Sequence, residues 1–154
     1  MTSTVPPSTP PFYKQETRYS CAPACLRMVL AALGQPVAEE VLRVVTDCSP
    51  LGTDAFQLVE AARQLGFPAS RKYTLVSLDD LTTLLAEGHW PIVYVDLWPL
   101  HGGLSGQSHA MVVIALDPTD VTVLDPLHGE RRLPRENFQA AWSVMRYLTI
   151  VIAA

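Results

Sequence analysis

The stretch QETRYSCAPACLRMVLAALG, residues 15–34, decides the fold, because it joins a polar segment and a cysteine to an apolar helix. After Cys21, leucine and valine recur at helical spacing, which predicts a helix over residues 22–33 with one buried face. Pro23 suits the first turn, where a backbone N–H has no partner, and Gly34 suits the helix end. The stretch therefore predicts a core helix that begins directly after a cysteine.

Cys21 stands where a helix favours a negative charge, since the positive end of the helix dipole lowers the pKa of a thiol. Its backbone N–H could also stabilise an oxyanion. Cys21 is therefore a candidate nucleophile, and the alternative is a small buried apolar residue. Gln15, six residues earlier, could donate an amide N–H to the same oxyanion, or could be an ordinary solvated side chain. Cys25 lies one turn further on and is assigned to the core, while Cys48 is given no role.

Helical patterns fill the first half of the chain and strand patterns fill most of the second, which predicts an α+β fold. The short link between two apolar strands, residues 109–116 and 120–125, predicts an antiparallel hairpin. The glycine-rich loop over residues 97–108 either gates a cleft or is a plain connector. The predicted helices are 22–33, 37–46, 53–65, 77–87 and 134–142, and the predicted strands are 91–97, 109–116, 120–125, 130–133 and 146–152.

His109 is the best placed of the four histidines, because it opens an apolar strand directly after a loop. Asp125 ends the next strand, so the hairpin brings it close to His109, whereas Asp117 lies at the opposite, turn end. A carboxylate beside an imidazole fixes its tautomer and stabilises the imidazolium. Alone, His109 would be read as a hydrogen-bonded rim residue. The combination with Cys21 and Gln15 is more specific than any one of these residues.

Composition and charge exclude several classes of protein. The net charge of −4 gives no basic face for nucleic acid or an anionic membrane, so neither is expected as a partner. No apolar run reaches the roughly 18–20 residues of a membrane span. Residues 1–11 predict a flexible arm without the features of a secretory signal, ahead of a single domain over 12–154. Three cysteines do not suggest a disulfide framework, which favours a reducing, cytoplasmic location.

Residues 15–34 resemble the active-site segment of the bacteriocin-processing peptidases that remove double-glycine leaders, and they are also similar to the matching segment of phytochelatin synthases. Both groups are papain-like cysteine peptidases. Their shared pattern is a glutamine, a cysteine six residues later, a histidine that opens a strand, and an aspartate at the end of the next strand. HAMVVIALDPTDVTVLDPLHG, residues 109–129, fits this pattern. GTDAFQLVEAARQLGFPA (52–69) and EGHWPIVYVDL (87–97) are similar to the intervening segments, so the resemblance spans about residues 12–151.

The resemblance implies a papain-like fold, in which the nucleophile starts the central helix of an N-terminal helical half that packs on a C-terminal antiparallel sheet. It implies Cys21 as nucleophile, His109 as base, Asp125 as the group that orients the histidine, and Gln15 as oxyanion donor. The chain departs from the family pattern at two positions. Ser20 and Ala22 stand where the family often has Asp and Gly, and the methyl group of Ala22 could change the shape of the substrate groove.

The expected activity is hydrolysis of a peptide or related amide bond through a thioester. The expected substrate is a leader or precursor peptide. An amine could resolve the same thioester, which would make the protein a transpeptidase or acyltransferase. A third alternative is a non-catalytic peptide-binding module. A metal site built from Cys21, Cys25 and a histidine is disfavoured, because a single CxxxC in a helix lacks a second pair of ligands. We therefore expect a peptide or protein substrate and no cofactor or metal, and the sequence names no partner protein.

Overall fold

The central helix, α1, spans Cys21–Ala32, so Cys21 is its first residue rather than the residue before it. The buried face includes Leu26 and Leu30, neither of which is accessible to solvent. Gly34 ends the helix as predicted, with a φ of 85° that favours glycine, and its N–H donates to the carbonyl of Ala31.

A computed structural model describes residues 9–101 and 106–154, and all the helices and strands predicted from sequence are present in it with small shifts of their ends. The remaining helices are α2 (Glu39–Val45), α3 (Ala55–Gln64), α4 (Leu78–Ala86), α5 (Trp98–His101) and α6 (Arg135–Val144). The strands are β1 (Arg71–Tyr73), β2 (Ile92–Asp96), β3 (Ser108–Leu116), β4 (Asp120–Asp125), β5 (Gly129–Pro134) and β6 (Thr149–Val151).

The strands form one antiparallel sheet of six strands, in the order β1-β6-β2-β3-β4-β5. The predicted hairpin is formed by β3 and β4, in which Val113 pairs with Val123 and the register shifts between Val113 and Ala115. Because β3 and β4 run in opposite directions, the start of β3 and the end of β4 lie at the same end of the sheet. This arrangement confirms the predicted α+β fold, with a helical first half packed on an antiparallel sheet.

Alternate residues of the strands face two separate cores on the two sides of the sheet. One core lies between the sheet and the first three helices, and it includes Ala110 and Val112 of β3. The other core lies under α4 and α6, and it includes Met111 of β3 together with Phe138 and Trp142 of α6. The rings of Phe138 and Trp142 are 5.3 Å apart. The N-terminal end of α1 is thereby fixed against the end of the sheet where β3 begins.

Three features of the fold were not predicted correctly from the sequence. Strand β1 was missed because its three residues are all exposed and show no apolar alternation. The short helix α5 was missed inside the loop predicted over residues 97–108, of which 102–105 lie outside the described residues. Strand β6 begins later than predicted, because Arg146 and Tyr147 have positive φ angles of 56° that interrupt an extended chain.

Of the arm predicted over residues 1–11, residues 1–8 lie outside the described part of the chain, and Pro10 is buried. Across the described residues, no helix combines the length and the apolar character needed to cross a membrane.

The packing of α1 on the sheet should dominate the stability of the fold. We expect Leu26→Ala to lower the free energy of unfolding by about 2–5 kcal/mol, because the side chain is fully buried and its removal leaves a cavity. Val44→Ala is the matched control, since Val44 is 79% exposed and its truncation should change stability by less than about 0.5 kcal/mol. Urea denaturation followed by circular dichroism measures both, and equal effects would contradict this packing.

Candidate active site

Three elements of secondary structure meet at one end of the sheet, and each carries one of the residues singled out from the sequence. Cys21 is the first residue of α1, His109 is the second residue of β3, and Asp125 is the last residue of β4. His109 is only 3% exposed and Asp125 only 1%, whereas Cys21 is partly accessible. The structure therefore places a partly accessible thiol in front of a buried imidazole and carboxylate.

The imidazole of His109 interacts with two side chains, the carboxylate of Asp125 and the thiol of Cys21. The Nε2 atom of His109 lies 2.7 Å from Oδ1 of Asp125. The same carboxylate oxygen accepts a hydrogen bond from the backbone N–H of Leu127 at 2.9 Å. The side chain of His109 also lowers the pKa of the Cys21 thiol, through hydrogen bonding and through its charge. The contacts form a chain from thiol to imidazole to carboxylate.

The electrostatics of these three groups favour charge separation between the thiol and the imidazole. Burial raises the pKa of the Cys21 thiol, but hydrogen bonds from His109, Ala110 and Ala22 outweigh it and leave the pKa below its usual value. Burial lowers the pKa of His109, but the hydrogen bonds to Asp125 and Cys21 raise it overall to about 9. Burial likewise opposes ionisation of Asp125, yet its contact with His109 brings the pKa down to about 2. At neutral pH this arrangement stabilises a thiolate, an imidazolium and a carboxylate.

Arg131 on β5 is a residue of the site that the sequence reasoning missed. One guanidinium nitrogen, Nη1, donates to Oδ2 of Asp125 at 3.1 Å, so the two oxygens of the carboxylate have different partners. The register of β4 and β5 pairs Asp125 with Gly129 and Val123 with Arg131. Arg131 therefore lies on the same side of the sheet as Asp125 and at diagonal distance from it. The sequence places a strand with Arg131 directly after Asp125, but the contact between the two residues could be predicted only with the register of β4 and β5 known.

Gln15 is attached to the site through its backbone. Its N–H donates to the carbonyl of Pro126 at 2.9 Å, directly after Asp125, and the residue is 7% exposed. Its side-chain Nε2 donates to the carbonyl of Thr17 at 2.7 Å. An amide nitrogen carries two hydrogens, so this bond leaves one N–H of Gln15 for another acceptor.

A cleft of about 290 Å³ opens over Cys21 and His109. Tyr94 lines this cleft, and its hydroxyl is fixed by a hydrogen bond of 2.8 Å to the carbonyl of Thr53. Exposed apolar side chains also line it, and Leu51 is 99% exposed. The described end of the 97–108 loop lines the cleft as well, through Gly106, Gln107 and Ser108. A peptide lying in this cleft would meet apolar side chains on its way to the thiol.

The other cysteines have different surroundings. Cys25 is fully buried in the core, as predicted, and burial raises its pKa well above the usual value. Burial also raises the pKa of Cys48. Ala22 is 1% exposed and packs in the core under the sheet, so its methyl group does not line the cleft. Within the part of the chain that the structure describes, no group of three or more His, Cys, Asp or Glu side chains could hold a metal ion.

An α+β fold in which a cysteine begins the central helix and a histidine opens a facing strand is that of the papain-like cysteine peptidases. The family model described as the peptidase C39 family matches residues 9–152, and the chain therefore belongs to this family and is a cysteine peptidase.

Among the proteins that resemble the chain are two archaeal relatives and three solved structures. An uncharacterized protein of Methanothermobacter thermautotrophicus is 31% identical over 124 residues, which are 80% of this chain and 77% of the relative. Another, of Methanothermobacter marburgensis, is 29% identical over 126 residues, 81% of this chain and 78% of the relative.

The solved structures agree in fold at low sequence identity. The peptidase domain of Streptococcus ComA, a bi-functional ABC transporter involved in quorum sensing, has a TM-score of 0.74 and 24% identity, covering 96% of this chain and 100% of that domain. A double glycine motif protease from an AMS/PCAT transporter, solved with its leader peptide, has a TM-score of 0.73 and 23% identity, covering 98% and 96%. A putative C39-like peptidase from Bacillus anthracis has a TM-score of 0.78 and 19% identity, covering 94% of both chains.

The lowered pKa of Cys21 should allow its alkylation at a lower pH than that of an ordinary thiol. We expect Cys21 to react with iodoacetamide at a lower pH than Cys48, because the imidazolium of His109 stabilises its thiolate and persists until the pH approaches about 9. His109→Ala should move the profile of Cys21 to higher pH, since burial then acts without the compensating hydrogen bond. Peptide mapping by mass spectrometry assigns the labelled thiol. The same profile in wild type and His109→Ala would contradict the contact between the two side chains.

Proposed function

We propose that this peptidase cleaves a peptide bond of a leader or precursor peptide with Cys21 as nucleophile, His109 as general base and acid, and Asp125 as the group that orients His109. The observation that carries the proposal is the chain of contacts from Cys21 through His109 to Asp125, with 2.7 Å between the imidazole and the carboxylate. A nucleophile, a base and a group that orients the base are what such catalysis requires.

In the proposed reaction, His109 takes the proton of Cys21, and the thiolate attacks the carbonyl carbon of the scissile bond. The backbone N–H of Cys21, at the start of α1, and the amide of Gln15 stabilise the oxyanion that forms. His109 then gives its proton to the leaving amine, which leaves a thioester on Cys21. Water, deprotonated by His109, hydrolyses the thioester and restores the thiol.

The free amide hydrogen of Gln15 supports its role as an oxyanion donor. The hydrogen bond from the backbone N–H of Gln15 to the carbonyl of Pro126 keeps Gln15 beside the end of β4, where Asp125 lies. The amide is neutral, so it can stabilise an oxyanion without pairing with the thiolate in the resting enzyme. Its hydrogen bond to Thr17 orients the side chain before a substrate binds.

The proposed substrate is an extended peptide that lies in the cleft. Tyr94 lines the cleft together with Cys21, and Leu51, Tyr19 and Leu127 offer apolar contacts along it. One structural neighbour was solved with a leader peptide, which supports the same class of substrate for this chain. The free thiols of Cys21, Cys25 and Cys48 support a reducing location such as the cytoplasm.

Loss of the proposed nucleophile and of the oxyanion donor should have graded effects on cleavage. We expect Cys21→Ala to remove essentially all peptide cleavage, and Gln15→Ala to lower kcat by about 10²–10³, as for other single oxyanion donors. Gln64→Ala is the matched control, because Gln64 is exposed on α3. Cleavage of a peptide library, followed by mass spectrometry, provides the substrate for the kinetic comparison. Full activity of Cys21→Ala would refute this mechanism.

Water and an amine compete for the thioester, and the product distinguishes a peptidase from a transpeptidase. We expect the free carboxylic acid as the main product even with a millimolar amino acid amide added, because no bound acceptor is needed for hydrolysis. Mass spectrometry separates the two products. A predominant amide product would assign the protein to the acyl transferases, and binding without turnover would indicate a peptide-binding module.

A further inference from the structure

Glu39 is a buried acid that the proposed reaction does not use. It is the first residue of α2, and its side chain is 0% exposed. Burial raises the pKa of its carboxyl group, although hydrogen bonds from Glu16 and Ser20 and the charge of Arg43 act in the opposite direction. A buried carboxylate is costly unless it is well paired. Its partners therefore indicate what this acid holds in place.

The partners of Glu39 lie in the short segment that joins Gln15 to Cys21. One carboxylate oxygen, Oε1, accepts the backbone N–H of Glu16 at 3.0 Å and the hydroxyl of Ser20 at 3.2 Å. The hydroxyl oxygen of Ser20 in turn accepts the backbone N–H of Thr17 at 3.0 Å. Ser20 precedes α1 but makes no side-chain cap to that helix, so its hydroxyl serves Glu39 instead.

An outer layer of ion pairs surrounds this contact. Arg43 approaches the other carboxylate oxygen of Glu39 at 3.2 Å and also binds Glu16 at 3.2 Å. Arg27 binds Glu16 at 3.5 Å. The pairs to Glu16 are partly exposed, with Glu16 itself 46% exposed, and ion pairs in contact with solvent contribute little to stability. The buried acceptor atom of Glu39 is therefore the stronger attachment of the segment.

The segment is held at both of its ends. Gln15 is bound to Pro126 beside Asp125, and Ser20 is bound to Glu39 on α2. Between these points the segment sets the position of the Gln15 amide relative to the start of α1. Both proposed oxyanion donors, Gln15 and the N–H of Cys21, depend on this spacing.

We propose that Glu39 is a positioning residue for the oxyanion site, which holds residues 15–20 so that Gln15 and the N–H of Cys21 converge on the same oxygen. The inference rests on the proposed function of Gln15. Glu39 acts through the segment, without touching substrate. Its effect is greatest in the transition state, when the oxyanion forms, so it raises kcat and leaves KM nearly unchanged.

Three variants separate the effect of the acceptor oxygen of Glu39 on kcat from the effect of the ion pairs around it. Glu39→Ala removes the acceptor and should lower kcat by about 10- to 100-fold, since a small misplacement of a catalytic group costs up to about 10² in rate. Glu39→Gln keeps an acceptor oxygen for Glu16 and Ser20 and should retain kcat within a few-fold. Arg43→Ala is the control, because it removes the ion pairs and leaves Glu39 in place.

Titration of Cys21 with iodoacetamide, at a pH too low for ordinary thiols to react, counts only the sites in which the thiol is activated, and kcat is expressed per such site. The pH profile of this labelling should be the same in Glu39→Ala and wild type, because the Cys21–His109 contact is untouched. In the Gln15→Ala background, Glu39→Ala should cause less than about a threefold further loss. Should Glu39→Ala fail to fold, Ser20→Ala removes one of the two contacts and should show the same non-additivity with Gln15→Ala, on a smaller scale.

The positioning role would be overturned if the losses of Gln15→Ala and Glu39→Ala were additive in the double variant. It would also be overturned if Glu39→Ala alone had the same kcat per titrated site as wild type. A wild-type protein that is labelled at Cys21 but turns over no peptide would overturn the proposed function and this inference with it. Wild-type turnover together with additive losses would overturn the inference alone. The two failures are thus distinguishable.

Discussion

The contact between His109 and Asp125 is the constraint on which the site depends, because it requires two strand ends to meet at one position. The distance of 2.7 Å is possible only if β3 and β4 pair as a hairpin and the start of one strand lies beside the end of the other. Both side chains are buried, so water cannot solvate the charge on either of them. Each ionised group therefore needs the other, and their contact fixes the orientation of the imidazole.

The carboxylate of Asp125 is shared among three donors, and this sharing limits how strongly it holds the proton of His109. Leu127 and His109 contact one oxygen, while Arg131 contacts the other. A buried carboxylate with a single partner would be strained by desolvation, whereas this one is satisfied on both sides. The imidazolium is stabilised enough to hold a thiolate beside it, and the aspartate keeps one orientation throughout the proposed reaction.

The opposite wall of the site is organised from the helical half of the chain. Glu39 binds the segment before Cys21, and α1 presents that residue at its N-terminal end. The core between the sheet and the first three helices contains residues of both α1 and β3 and fixes their relative position. The proposed nucleophile and its base thus come from separate halves of the chain, and their meeting depends on the packing of helix against sheet rather than on any local turn.

The sequence by itself determined most of the helices and strands and the pairing of β3 with β4. The stripe after Cys21 predicted α1, and the short link after β3 predicted the hairpin that brings His109 to Asp125. These features depend on contacts within a few residues or one turn, which periodicity and turn chemistry encode. Only the tertiary structure decided the contact of Cys21 with His109, the place of β1 and the partners of Arg131 and Glu39. These contacts join segments that are distant in the chain or depend on an exact strand register, and neither leaves a periodic pattern in the sequence.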